Sequence, residues 1–260
     1  MNFRCVQAIV LRQLLLHFRD LNRILNILYW PFINILLLGM MGMWLGSGSQ
    51  AGNSVLILVS TAVFWDIAIM ITIQVANNLL SEILDRNLIN VFTTPITIYE
   101  WVLADIIICS INVLLLIVFS SMIIRFIFGL NIFSMGIHVL TFISSLMLSG
   151  LFIGFFLCGL VIYLGKRSID LVYFLGWLFA PFCAVYYPLR LLPESLQFIA
   201  KMLPMTYTFE NMRGLLTTGT VCYSEILISY ILNIVYLILA ISFFKYMFEK
   251  GKINGLANLE

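Results

Sequence analysis

Long stretches of this chain contain no Asp, Glu, Lys or Arg, among them residues 24–65, 106–124, 126–165 and 226–244. A lipid bilayer has a hydrocarbon core about 30 Å thick, which roughly 20 apolar residues span as a helix. The first and third stretches are each long enough for a crossing with loop to spare, and the other two fit one crossing each. Charged residues make up only 10% of the 260-residue chain and hydrophobic ones 62%. A soluble domain carries about 25% charged residues. There is too little polar surface here to coat a water-soluble globule, so the chain belongs to the membrane class.

The pattern predicts an all-α integral membrane protein with six transmembrane helices, at 24–45, 54–75, 99–124, 135–164, 169–187 and 225–247. Before them, residues 1–23 read as an amphipathic helix. Arg4, Arg12, Arg19 and Arg23 fall within one arc of about 100°, with Phe3, Val6, Val10, Leu14, Phe18 and Leu21 on the other side. Such a helix lies in the membrane interface with its basic face toward lipid headgroups. The same arginines also serve simply as a positive flank that orients the first span. No cleavable signal peptide is expected, because the first apolar run is too long and lacks a small-residue cleavage site.

Two segments depart from the apolar pattern. The first, "NNLLSEILDRNLINVFTT" at 77–94, predicts a short helix in which Glu82, Asp85 and Arg86 share one face at i, i+3 and i+4. Pro95 closes it, since proline disfavours helical geometry in the residue before it. The segment reads either as a solvated loop helix or as a docking surface for a partner, where charge sets orientation and partner choice. In the second, Pro181, Pro188, Pro193 and Pro204 cut the chain into pieces too short to cross. This predicts a re-entrant or interfacial hairpin over 188–218, with Glu210 and Arg213 spaced to form a local ion pair.

Six spans leave both termini on one side. Ten of the fourteen Lys and Arg residues fall on that side, and only Arg125, Arg190, Lys201 and Arg213 on the other. The positive-inside rule then places the termini and 77–94 in the cytoplasm, and the hairpin outside.

Within the spans, Asp66 is the one acidic residue near the middle of a helix. A charge there costs about 2.5–3.5 kcal/mol on insertion scales. It should face the bundle interior, as part of a pathway or gate or as a structural hydrogen-bonding group. Glu100 and Asp105 read as interface anchors at the start of the third span. Asn34, Asn112 and Asn233 are candidates to bridge helices. Gly150, Gly154 and Cys158 form a small-residue stripe that permits close helix packing, as do Gly176, Ala180 and Ala184. The five cysteines and two histidines show no metal-ligand spacing, and no catalytic cluster is evident. The net charge of +2 gives no reason to expect a nucleic-acid partner.

The segments "EILDRNLINVFTTPITIYEW" and "YYPLRLLPESLQFIAKMLPMTYTFENMRGLL" resemble two motifs of one known family, the permease subunits of ABC-2 type exporters. One is that family's acidic–Arg–Asn–Leu segment ending in hydroxyl-Pro-Ile before the third span, with Thr94 here where Ser is common. The other is its proline-rich hairpin ending in Glu-x-x-Arg-Gly. The resemblance implies that Glu82, Asp85, Arg86 and Asn87 lie on a cytoplasmic coupling helix that docks on an ATPase subunit. It implies that the N-terminal helix lies along the inner leaflet and touches the same ATPase. Pro188, Pro193, Pro204, Glu210 and Arg213 would belong to an extracellular plug. The chain would pair with a second permease chain and two ATPase chains in a cytoplasmic (inner) membrane. It has no phosphate-binding loop of its own, since "YLGKRS" lacks the first glycine and the following Ser or Thr. ATP and Mg are therefore expected on the partner, and no cofactor in this chain. The rival reading is a non-transporting membrane scaffold or assembly factor.

Overall fold

In the computed structural model, residues 3–19, 21–46, 51–84, 97–164 and 169–254 are described. They form nine α-helices: α1 (Phe3–Arg19), α2 (Leu21–Leu45), α3 (Ala51–Leu84), α4 (Ile98–Phe128), α5 (His138–Leu164), α6 (Ile169–Phe182), α7 (Glu194–Met202), α8 (Pro204–Thr218) and α9 (Tyr223–Asn254). Among the described residues there is no strand. Five helices (α2, α3, α4, α5 and α9) are long and apolar enough to cross a membrane. This is a multi-pass membrane architecture.

Contacts fix the register. Asn34 meets Asp66 and Gly42 meets Val55, so α2 and α3 run antiparallel. Gln74 meets Asn112 and Asn78 meets Asp105, so α3 and α4 do too. Phe64 packs on Phe142 and Val75 on Gly154, which makes α3 and α5 parallel. Asn233 bonds to Ser145 and Phe244 packs on Phe155, so α5 and α9 are parallel as well. One end of the bundle, the foot, therefore holds the start of α2 and α4 and the end of α3, α5 and α9. The other end holds the hairpin. Helix α3 packs on α2, α4, α5, α6 and α8 and is the hub of the core.

The Gly150–Gly154–Cys158 stripe lets α5 approach α3 closely. A Cβ at Gly150 would lie 2.7 Å from the Ala68 carbonyl oxygen, and one at Gly154 2.8 Å from the Val75 Cβ. The Cys158 thiol, one turn further, donates to the Val75 carbonyl at 3.4 Å. Lipid tails are as apolar as leucine, so helices associate in a bilayer largely through such close fit and polar contacts.

Three expectations change. The span expected at 169–187 is a helix of 14 residues that ends at Phe182. Pro181 lies in its last turn, and Ala184 turns the chain with φ 50°. That turn takes Ala184 out of the helix, so the Gly176–Ala180–Ala184 stripe is cut short. Second, residues 77–84 are not the start of a separate helix. They continue α3 without a break, and the segment has no proline or glycine to interrupt it. Third, the N-terminal helix stops at Arg19, and Arg23 falls in the first turn of α2.

Helix α1 docks on the bundle. Val6 and Ile9 are buried against Ala104, with Val10, Leu103 and Ile107 packed around them. The docked face is rotated from the expected one, because Phe3 stays 62% exposed and Gln13 is buried. Arg4, Arg12 and Arg19 remain on the exposed side.

Candidate functional site

Gln13, Asn78 and Asp105 come from three different helices and meet at the foot of the bundle. The Asn78 amide donates to Asp105 Oδ1 at 2.9 Å and to Gln13 Oε1 at 3.1 Å. Gln13 and Trp101 also lie beside the Asp105 carboxyl. All four side chains are buried. One turn deeper along the α3–α4 seam, the Asn112 amide donates to Gln74 Oε1 at 2.8 Å. Polar groups in hydrocarbon are costly unless paired, so each pair fixes register as well as adding energy. Asp105 is therefore not an interface anchor but the centre of a buried knot, because α1 covers it. Glu100 is buried too, and serves α4 itself. Its carboxylate accepts from the Thr97 backbone N–H at 2.9 Å while the Thr97 hydroxyl accepts from the Glu100 N–H at 3.4 Å, a reciprocal cap.

The knot includes Asn78, at the start of the 77–94 segment singled out in the sequence. Glu82 lies in the last turn of α3. Its side chain, the side chain of Arg23, and residues Asp85, Arg86 and Asn87 lie outside the described residues. The cap at Thr97 shows where the chain re-enters helix after that segment. Whatever lies between Leu84 and Thr97 is thus tied at both ends to helices that the knot joins to α1.

Asp66 is buried in the middle of α3 and accepts a hydrogen bond from the Asn34 amide at 2.7 Å. Tyr186 lies close enough to interact with it electrostatically, and the neighbouring Trp65 ring packs on Trp177 at 6.1 Å. The Asn34 bond gives Asp66 a structural role in joining α2 to α3. Asn34, Asn112 and Asn233 all bridge helices, at about 0.6 kcal/mol or somewhat more each.

No protein-family model matches this chain, and no curated protein matches it. Among the described residues no group of His, Cys, Asp or Glu could hold a metal ion.

The hairpin at the other end is built on its prolines. Pro188 precedes a 3-10 turn at Leu189–Leu191, Pro193 precedes α7, and Pro204 is the first residue of α8. Each sits where the missing N–H removes no helical bond. Arg213 then locks the hairpin to the end of α6. Its Nη1 donates to the Val185 carbonyl at 2.9 Å and its Nη2 to the Ala184 carbonyl at 2.7 Å. Nη2 also pairs with Glu210 Oε1 at 2.6 Å, and Glu210 accepts the Leu189 N–H at 2.9 Å. The carbonyls just past a helix end need donors, and the planar guanidinium serves two of them at once.

Inside the bundle, Ser145 of α5, Thr208 of α8 and Ser229 of α9 form a buried hydroxyl triad with separations of 2.9, 2.9 and 3.2 Å. Ser149 adds a bond to Asn233 Oδ1 at 2.7 Å. Sequence reading missed Gln13, Gln74, Asn78 and this triad. Gln74 and Asn78 are one turn apart on α3, which would have marked a polar face, but their partners lie on other helices.

Arg213→Lys is expected to loosen the hairpin. A lysine ammonium is a point charge without the two-pronged fork, so at least one carbonyl loses its donor, at about 1–3 kcal/mol. Limited proteolysis should show faster cleavage within 183–193, with α3 and α5 unaffected. Unchanged cleavage would show that Arg213 is dispensable there.

Proposed function

We propose that this chain is the membrane-spanning subunit of an ATP-driven ABC exporter. It would be coupled to two copies of a separate ATPase and paired with a second permease chain. The observation that supports this best is the Gln13–Asn78–Asp105 knot. A subunit driven by an external motor needs a cytoplasmic contact point rigidly joined to its spans. The knot fastens α1 to the feet of α3 and α4, on either side of the segment that carries Glu82, Asp85, Arg86 and Asn87. A push on that segment would move α3, the hub of the core.

Two further features fit. Helix α6 starts beside Asn77, whose amide donates to the Tyr173 hydroxyl at 3.1 Å, and its Trp177 reaches the level of Trp65 near the middle of α3. The chain then completes its way to the far end through the hairpin. This broken segment serves as the sixth crossing, so both termini share the cytoplasmic face. The hairpin also folds back into the bundle through Met205, Thr208, Phe209 and Met212, all buried, which suits a plug over a pathway. In this reading ATP and Mg are bound by the ATPase, and this chain supplies docking and the route.

The test is charge reversal at Glu82 and Arg86 together. Membrane insertion should be retained, while ATPase recovery with the purified chain and ATP-dependent export in vesicles should both be lost. Wild-type recovery of the ATPase with normal export would remove the docking role. Insertion into a stable complex with no ATPase under any condition would favour a scaffold.

A further inference from the structure

At the hairpin end, a cleft of about 450 Å³ opens between α8 and the start of α9. Its lining includes Lys201, Thr206, Tyr207, Asn211 and Glu225, with Ile228 on an apolar wall. The walls are fixed in advance. Asn211 Nδ2 donates to Glu225 Oε2 at 2.9 Å, and its Oδ1 accepts the Cys222 N–H at 2.7 Å. The Tyr207 hydroxyl donates to the Lys201 carbonyl at 2.8 Å, which sets the corner between α7 and α8.

The charges around the cleft are not all satisfied internally. Glu210, also in the lining, is neutralised by Arg213. Glu225 receives only a neutral amide, and among the described residues neither Glu225 nor Lys201 forms an ion pair. Independently, the Thr206 hydroxyl is buried, with the residue 1% exposed, and has no hydrogen-bond partner among the described residues. A buried hydroxyl left unpaired costs about 1–3 kcal/mol, so native structures seldom leave one in that state. The residues that line this space thus include one carboxylate, one ammonium and one unpaired hydroxyl.

We infer that this cleft binds a small zwitterionic group, a primary ammonium linked to a phosphate or carboxylate. Its ammonium goes to Glu225 and Thr206, and its anion to Lys201. The same chemistry is carried by a soluble molecule and by the headgroup of an aminophospholipid. The site stands apart from the export reading, and either can fail without the other.

The experiment uses the full chain in phosphatidylcholine nanodiscs, titrated calorimetrically with O-phosphoethanolamine. Saturable binding is expected, weaker for ethanolamine alone and for inorganic phosphate alone, which each supply half of the contacts. Glu225→Gln keeps the acceptor that Asn211 uses and removes the charge, so affinity should fall about tenfold or more. Lys201→Met and Thr206→Val should each weaken binding severalfold and serve as independent variants. In discs containing phosphatidylethanolamine, loss of O-phosphoethanolamine binding would identify the lipid headgroup as occupant, and unchanged binding a soluble one. Absence of saturable heat at millimolar ligand in the phosphatidylcholine disc would overturn the proposal. So would equal affinity in the parent and all three variants.

Discussion

Gly150→Leu is expected to give a chain that inserts but does not hold α3 and α5 together. The first added carbon already falls 2.7 Å from the Ala68 carbonyl oxygen and 2.8 Å from the Ile71 Cβ. Neither can swing aside, since one is backbone and the other is anchored on a β-branched residue. The Thr72 hydroxyl, which bonds to Ala68 O at 2.9 Å and reaches Gly150 O at 3.3 Å, would lose the second contact. Overpacking costs about 1–3 kcal/mol or more. For a chain of this size that is a fall of roughly 2–12 °C in Tm, measured as retention of monodisperse protein after heating in detergent. Gly52→Leu is the control, because a Cβ there meets nothing within 4 Å. Equal loss in both would mean that leucine is harmful for some reason other than the α3–α5 fit.

Asp105→Ala should release α1 from the bundle. The substitution removes the acceptor at the centre of the knot and strands the Asn78 amide, with Gln13 beside it, in a buried site. A loss of about 1–3 kcal/mol per stranded group is expected. The apolar part of the docking is small, resting on Val6 and Ile9 against Ala104, so it cannot compensate. A local opening made about 2 kcal/mol easier raises amide exchange roughly thirtyfold. Deuterium uptake should therefore rise across 3–19 while the α5 core stays protected. Asp105→Asn, which keeps a carbonyl acceptor, should lie between parent and alanine. Slow exchange of α1 in the alanine variant would show that apolar contact alone holds it.

If the export reading holds, the same variant also separates two roles of α1. A helix held only by headgroups would leave export unaffected when Asp105 is lost. A helix that belongs to the drive unit would not. Export measured beside exchange in one preparation distinguishes them.

Much of this architecture was legible because the bilayer imposes a simple rule on sequence. The charge-free runs at 24–65, 106–124, 126–165 and 226–244 fall largely within α2, α3, α4, α5 and α9. The stripe of Gly150 and Gly154 could be read as a close-packing face because in lipid small residues decide which helix faces approach. The hairpin could be read because proline acts locally, and Pro188, Pro193 and Pro204 each start a helical turn wherever the chain goes next. Glu210 and Arg213 pair because i, i+3 neighbours on a helix share a face.

What remained hidden depends on partners far apart in the chain. Composition made 169–187 look like one more span, and only the turn at Ala184, held by Arg213 from 28 and 29 residues away, ends the helix at Phe182. Trp65 and Trp101 are both buried, which nothing near them in the chain announces. Asp105 and Glu100 looked alike as acids near a membrane edge. One caps its own helix, which a local motif specifies. The other meets groups from α1 and α3, which no local pattern reveals. Sequence alone thus determined which long segments are apolar enough to cross a membrane, since that depends on the transfer cost of each residue by itself. Tertiary structure decided which polar groups meet, because a hydrogen bond in hydrocarbon is set by the position of both partners and the sequence near either one is silent about the other.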